Sequence, residues 1–399
     1  MKIGLLRERK NPPDRRVVFS PTRLLEIQQH YPSLKIAVES SPIRIFADED
    51  YLKAGFEVVT DLSDCDVLIG VKEVPIEALI PNKKYFFFSH TIKKQPYNKK
   101  LLQAILAKNI ALFDHETIVD AENRRLVGFG RYAGIVGTFN GLRGFGEKFD
   151  LFKIPKASTL PDYEALIKTL KKQIIPPIKI VLTGSGKVAF GAKEVLDAIK
   201  CKEVSSQDFL TKNYSQPVYT RIDVLEYNKR KDGQILDNTD FYNHPEAYES
   251  DFEKYTKVAD VYISGHFYGV GAPNILTREM LRSPKNKIKV VADISCDVDG
   301  PIACTLKAST IAEPFFGYSP SKHEEVDYLT PDSILVMSVD NLPCELPKDA
   351  SDGFGEMYAQ HVIPAFFNND ADGILQIAQV TNDGKLTPRF SYLKDFAAE

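Results

Sequence analysis

Apolar and polar positions alternate along this chain in blocks. The runs "KIGLLRE", "LKIAVES", "DVLIGVKEV", "KYFFFSHT" and "IALFDHE" are short and apolar, and helical-looking pieces such as "RLLEIQQH" and "NKKLLQAILAKN" separate them. Runs of this length predict strands, and their alternation with helices predicts a parallel sheet of α/β type. In such sheets ligands gather at the carboxyl edge, where helix amino termini and loops converge. The polar tails that follow "LIGV", "FFF" and "ALF" are therefore expected to face one cleft.

The pattern then changes. In "GRYAGIVGTFNGLRGFGEKF", Gly134, Gly137, Gly141 and Gly144 recur at the spacing of one helical face. Each glycine costs a helix about 1 kcal/mol relative to alanine, so a helix here needs its bare face for close backbone packing. The alternative is an irregular glycine-rich loop. A second alternating unit begins after "KQIIPP" with "IKIVLTGSGKVAFGAKEVLDAI", and strands recur at "ADVYISG", "KIKVVADIS" and "SILVMSV". The closing segment "DASDGFGEMYAQHVIPAFF" reads as a long amphipathic helix that returns to cover the first domain. No fixed-period repeat and no low-complexity tract appears.

Composition narrows the function class. The 399 residues are 43% hydrophobic and 26% charged, which suits a globular protein of two domains rather than one oversized core. The net charge of −3, with basic residues scattered, argues against a nucleic-acid partner and for small metabolites. Five cysteines without a CxxC pair argue for a reducing, cytoplasmic setting. The amino terminus turns charged too soon for a signal peptide, and no run approaches membrane-spanning length.

Two stretches carry candidate chemistry. In "IVLTGSGKVAFGA", Gly184, Ser185, Gly186, Lys187 and Val188 follow an apolar strand and open a helix, with Ala189 at the third fingerprint position. Strand, turn and helix in this order predict a site for the pyrophosphate of NAD or NADP, held by backbone donors at a helix amino terminus. The ribose-binding acid expected about 20 residues on is Glu203 or Asp208, and the two cofactors are not separated. No metal-ligand spacing accompanies it.

The other stretch is the set of polar strand tails: Arg16, Lys72 with Glu73, His90, and Glu116. Desolvation lowers a lysine pKa and neighbouring carboxylates raise it again, so Lys72 is placed to be tuned for proton transfer, while His90 titrates near neutrality. Arg16, Lys93 and Arg125 suit a substrate with several carboxylates. With a nicotinamide cofactor, this predicts hydride transfer at a carbon bonded to nitrogen or oxygen.

These residues, with "LRERKNPPDRRVVFSP", "LIGVKEVP", "FFSHTIKKQ", "NRRLVGFGRYAGIVG", "VLTGSGKVAFGA", "VADISCDVDGPI" and "MSVDNLPCELPKDAS" in that order, give the chain a family likeness. It resembles the lysine-ketoglutarate reductase half of the bifunctional lysine-degrading enzyme and the lysine-forming saccharopine dehydrogenases, over nearly its whole length. Alanine dehydrogenase and the transhydrogenase subunit are similar at greater distance. The resemblance implies two Rossmann-like domains with parallel sheets, an interdomain cleft, and a carboxyl-terminal helix returning to the first domain. It assigns 1–135 and 340–399 to a substrate-binding, catalytic domain and 136–339 to the dinucleotide-binding domain.

The implied activity is reductive condensation of lysine and 2-oxoglutarate to saccharopine, or its reverse. Lys72 then handles the secondary amine and His90 the carbonyl and water chemistry. Glu73 and Glu116 tune that pair, Arg16, Lys93, Gln95 and Arg125 surround the substrate, and Asp297 lies near the nicotinamide. An oligomer is compatible with the family. Two rival readings are an alanine dehydrogenase or other opine-type amino-acid dehydrogenase, and a catalytically inactive nucleotide-binding regulator.

Overall fold

The computed structural model describes residues 1–398 and divides into two compact units, Met1–Phe129 with Pro347–Glu399, and Gly130–Leu346. The first unit holds a six-stranded sheet built from β1 (Lys2–Leu5), β2 (Lys35–Glu39), β3 (Glu57–Val59), β4 (Val67–Lys72), β5 (Lys84–Phe88) and β6 (Ala111–Asp114). Its order is β3-β2-β1-β4-β5-β6, and every pairing is parallel. The chain winds outward in one direction from β1 to β3 and in the other from β4 to β6. The topological switch point, where open α/β sheets part their loops around ligands, therefore lies between the ends of β1 and β4.

The continuous apolar run of β5 is explained by burial on both faces. Phe86 and Phe88 join one core with Phe19, Phe113, Phe354 and Tyr358, while Tyr85 and Phe87 join a second with Leu102, Ile105, Val380, Phe390 and Leu393. Helices α1 (Pro21–His30), α2 (Asp48–Lys53) and α3 (Lys99–Ala107) follow their strands. α1 starts where it does because the Ser20 hydroxyl accepts the Arg23 N–H at 3.2 Å and Pro21 supplies no donor that would need a partner. The carboxyl-terminal helix Pro347–His361 belongs to this unit and buries Phe354 and Tyr358 in the first of these cores.

The second unit contains α4 (Gly130–Lys148), α5 (Tyr163–Lys171) and α6 (Lys187–Ala198), with β7 (Lys179–Thr183), β8 (Lys202–Glu203), β9 (Val218–Ile222), β10 (Asn228–Arg230), β11 (Tyr248–Ser250), β12 (Val261–Ser264), β13 (Val290–Asp293), β14 (Phe315–Ser319), β15 (Glu324–Val326) and β16 (Ile334–Met337). Eight strands form one sheet in the order β15-β14-β16-β13-β12-β7-β9-β8, and β10 and β11 pair separately. Contrary to the expectation of a wholly parallel sheet, β14 runs antiparallel to both β15 and β16. The physical reason is connection length, since β15 follows β14 through a turn too short for a parallel crossover.

The glycine spacing does form one helix, α4, and its bare face is filled within this unit. A Cβ at Gly134 would stand 1.9 Å from the Val188 carbonyl oxygen, and one at Gly191 of α6 would stand 1.9 Å from that of Arg131. The two backbones thus touch through reciprocal glycines. A Cβ at Gly137, Gly141 or Gly144 would stand 2.5, 2.8 or 2.9 Å from side-chain atoms of Ile294, Ala292 and Leu335 respectively.

Candidate active site

At the switch point Lys72 ends β4, and its ladder partner on β5 is Phe88, two residues before His90. The sheet thereby sets both groups at adjacent strand ends. The ladder is irregular there: Ile69 faces Phe86 and Lys72 faces Phe88, so Gly70 and Val71 stand opposite Phe87 alone. This is a β-bulge, which re-aims the residue that follows it. The backbone groups displaced by the bulge are met by side chains. Glu8 accepts the Val71 N–H at 2.8 Å and the Lys72 N–H at 2.9 Å, and the His115 ring bonds the Gly70 carbonyl at 2.8 Å through Nε2.

Neither Glu8 nor His115 stands out in the sequence, where Glu8 lies among the charged residues of "RERK" and His115 beside Glu116. Burial, then the Asp14 charge, push the Glu8 carboxyl up to about 7 against the pull of its two N–H bonds. Burial also drives His115 down to about 4, so its imidazole is neutral at pH 7. A carbonyl only accepts, which fixes the proton on Nε2. The ring packs edge-on to Phe88, Phe354 and Tyr358.

His90 adopts a left-handed backbone, φ 54°, at the head of a short turn over Thr91–Lys93. Backbone strain of this kind costs a non-glycine residue on the order of 1 kcal/mol and is retained where neighbours enforce it. Here the neighbour is Asp114 at the end of β6, which accepts the Ser89 N–H at 3.1 Å and also the Ser89 hydroxyl. Nδ1 of His90 lies 3.5 Å from Glu73 Oε2, an ion-pair separation that is long for a hydrogen bond. The other Glu73 oxygen accepts from Lys10 at 2.7 Å. Burial pushes the Glu73 carboxyl up, but His90 and Lys10 outweigh it and hold the group at about 2.

The remaining candidates fall into two groups. Glu116 receives Lys93 at 2.8 Å and has Arg125 at 3.9 Å, so these three are brought together. Gln95 lies on the same turn and accepts from the Tyr97 hydroxyl. Arg16 is placed differently: only 3% exposed, it gives Nε and Nη2 to Asp14 at 3.0 and 2.6 Å and lies 4.3 Å over the Phe129 ring. Burial raises Asp14, but the Arg16 guanidinium, with the Lys72 ammonium behind it, holds that carboxyl below its usual range. The Lys72 side chain is therefore within electrostatic reach of Asp14.

In the second unit the strand-turn-helix over Gly184–Val188 forms as the fingerprint requires. Gly184 has φ +106°, and a Cβ there would stand 2.4 Å from the Gly265 carbonyl oxygen. At Gly186, the residue capping α6, a Cβ would meet no atom within 4 Å. That open space above exposed helix N–H groups is the cradle a pyrophosphate needs, and a side chain would fill it. Ser185 and Lys187 are exposed at the turn, Val188 carries the carbonyl that α4 abuts, and Asp297 is exposed in the loop after β13. Beneath the turn, Thr183 bonds the buried His266 ring at 2.8 Å.

The two acids suggested for the ribose are misplaced. Glu203 pairs with Lys193 at 2.6 Å on the outermost strand, and Asp208 pairs with Lys212 at 2.9 Å. The acid beside the glycine turn is Asp223, which follows β9 and accepts from the Ser185 hydroxyl at 3.2 Å. The spacing rule assumes that the strand neighbouring β7 comes straight after α6. Here β8 and the helix Ser206–Thr211 intervene, and β9 takes that place. The alternating run "VYTRID" was the available signal.

Residues 4–136 match the family model described as "Alanine dehydrogenase/PNT, N-terminal domain". Among curated proteins, the chain is 30% identical to the alpha-aminoadipic semialdehyde synthase of Arabidopsis thaliana over 98% of its own length and 41% of that protein's. It is 29% identical to the mitochondrial protein of the same description from Rattus norvegicus, over 98% of this chain and 47% of that one. The chain thus spans less than half the length of these two relatives. It is 25% identical to the lysine-forming, NAD(+) saccharopine dehydrogenase of Yarrowia lipolytica, over 88% and 89% of the two chains. Among solved structures an L-alanine dehydrogenase superposes with a TM-score of 0.67 at 17% identity, covering all of both chains. The transhydrogenase of Sinorhizobium meliloti gives 0.60 at 16% identity, over 98% and 100%. Among the described residues no helix is long and apolar enough to cross a membrane.

Proposed function

We propose, from its similarity to lysine-forming saccharopine dehydrogenases and alpha-aminoadipic semialdehyde synthases, that this chain condenses lysine with 2-oxoglutarate and reduces the resulting imine to saccharopine, or runs the reverse. The observation that carries this reading is the pair of adjacent strand ends at the switch point, bearing Lys72 and His90, with ionised Glu73 at 3.5 Å from the imidazole. Condensation needs one group to protonate the keto oxygen and release water, and another to take the proton from the attacking amine. His90 fills the first role and Lys72, once it has given up its own proton, the second. Lys93 and Arg125, gathered around Glu116, supply cationic partners for the substrate carboxylates.

The backbone of Gly184–Val188 at the head of α6 and, at the adenosine ribose, Asp223 would hold a nicotinamide dinucleotide, which would supply the hydride. A carboxylate beside the turn accepts the two ribose hydroxyls and repels a 2'-phosphate, so Asp223 selects NAD(H) over NADP(H).

The test is a substrate-pair assay at the nicotinamide absorbance band. NADH is consumed when lysine and 2-oxoglutarate are both present and with neither alone. Turnover with pyruvate and ammonia in their place would instead support an alanine dehydrogenase, and tight NADH binding without turnover on any pair a silent regulator.

A further inference from the structure

We propose that Glu8 and His115 are positioning residues that clamp the Gly70–Val71 bulge from the two flanks of β4 and so aim the Lys72 side chain. The inference rests on the reading of Lys72 as a proton-transfer group.

Consecutive N–H groups of a regular strand point to opposite sides. At Val71 and Lys72 both point to one carboxylate, and each Glu8 oxygen takes one of them. That arrangement exists only where the strand has left its ladder. β1 gives β4 its last ladder bond when the Leu6 N–H reaches the Ile69 carbonyl at 2.9 Å, and Glu8, two residues on, takes over from the strand. On the other flank the freed Gly70 carbonyl is held by His115, which comes from beyond β6 and reaches across the end of β5. The first position of the bulge is closely packed, since a Cβ at Gly70 would stand 3.2 and 3.3 Å from Leu6 side-chain atoms and 3.5 Å from Glu8 Oε1. Both clamps are deeply buried, Glu8 at 8% exposure and His115 at 0%, so neither faces bulk water in place of its partner. With three backbone groups in succession fixed, the Lys72 Cα–Cβ direction is fixed as well.

Two variants and a cycle test this. Glu8→Gln replaces one acceptor oxygen by a donor that faces an N–H. His115→Phe keeps the ring against Phe88, Phe354 and Tyr358 and removes the bond to Gly70. Each is expected to lower kcat about tenfold or more, because misplacing a reacting group by about an ångström costs up to about 100-fold. KM for both substrates and Kd for NADH should stay within about twofold. Deuterium exchange at the Val71 and Lys72 amides should rise about tenfold or more in Glu8→Gln. His115→Gln, which restores a donor, should recover most of the kcat lost in His115→Phe.

In a Lys72→Met background, Glu8→Gln and His115→Phe should change the residual rate by less than about twofold, since both act through Lys72. Full additivity in that cycle, or wild-type kcat in both single variants, overturns the clamp. If Glu8→Gln fails to fold, His115→Phe and its Gln counterpart decide alone. A wild-type chain silent on lysine and 2-oxoglutarate removes the parent reading, whereas a working wild type with unaltered variants removes only the clamp.

Discussion

At the scale of single residues, chemistry depends on which neighbour a side chain is given. Lys72→Met and His90→Gln should each lower turnover by about 100-fold or more while leaving NADH affinity intact, as measured by steady-state rates and fluorescence titration. Preserved turnover in both would show the roles to be wrongly assigned. Asp223→Ala should narrow the preference for NADH over NADPH by about tenfold, the scale of one charge interaction of about 1.4 kcal/mol, read directly from the two dissociation constants. His115 predicts a pH effect of definite sign. Its imidazole falls from 6.5 to about 4 on folding. Between those values the unfolded chain takes up a proton that the folded chain refuses, so stability is lost as pH falls through that window. Urea midpoints at pH 7 and pH 5 should therefore show wild type losing ground relative to His115→Gln.

At the scale of elements, two glycines do opposite jobs. Gly134 permits α4 to touch α6, and a methyl group there would collide with the Val188 backbone at 1.9 Å. Gly134→Ala is expected to destabilise the protein by about 3 kcal/mol or more in chemical denaturation, because backbone cannot move aside as a side chain tip can. The Cβ of Gly186→Val meets no protein atom within 4 Å, so the variant should melt near the wild-type temperature, yet its side chain occupies the cradle at the head of α6. Loss of NADH binding without loss of stability is the expected signature, and normal affinity would move the nucleotide site elsewhere. The glycine spacing could be read from the sequence because a helix fixes which residues share a face. What the face packs against could not, since Val188, Ile294, Ala292 and Leu335 come from distant elements. The same holds for the bulge in β4, which no local pattern announces.

At the scale of the whole molecule, the first unit is discontinuous in sequence. Its core takes Phe354, Tyr358, Val362 and Ile363 from the carboxyl-terminal segment, and its other face takes Val380, Phe390 and Leu393. A chain ending at Leu346 would leave both faces of the β1–β6 sheet open. Burying a large apolar side chain contributes about 1.5–3 kcal/mol, so losing seven removes about 10–20 kcal/mol, as much as the whole stability of a typical domain. The expected result is a truncated protein whose 1–129 region is digested rapidly by protease, while Gly130–Leu346 resists and still binds NADH. Equal resistance of both regions would contradict this division of the core.

The sequence by itself determined the local periodicities: parallel strands with both faces buried, a helix with a bare glycine face, and a strand-turn-helix shaped for a pyrophosphate. These are legible because side-chain direction repeats every two or 3.6 residues, whatever lies nearby. Only the tertiary structure decided which groups meet. It put Arg16 into a buried pair with Asp14, set β9 beside β7 so that Asp223, and not Glu203 or Asp208, lies at the glycine turn, and brought Glu8 and His115 from beyond β1 and β6 onto one bulge. Contacts between residues far apart in the chain depend on strand order and register, and neither is written in any one segment.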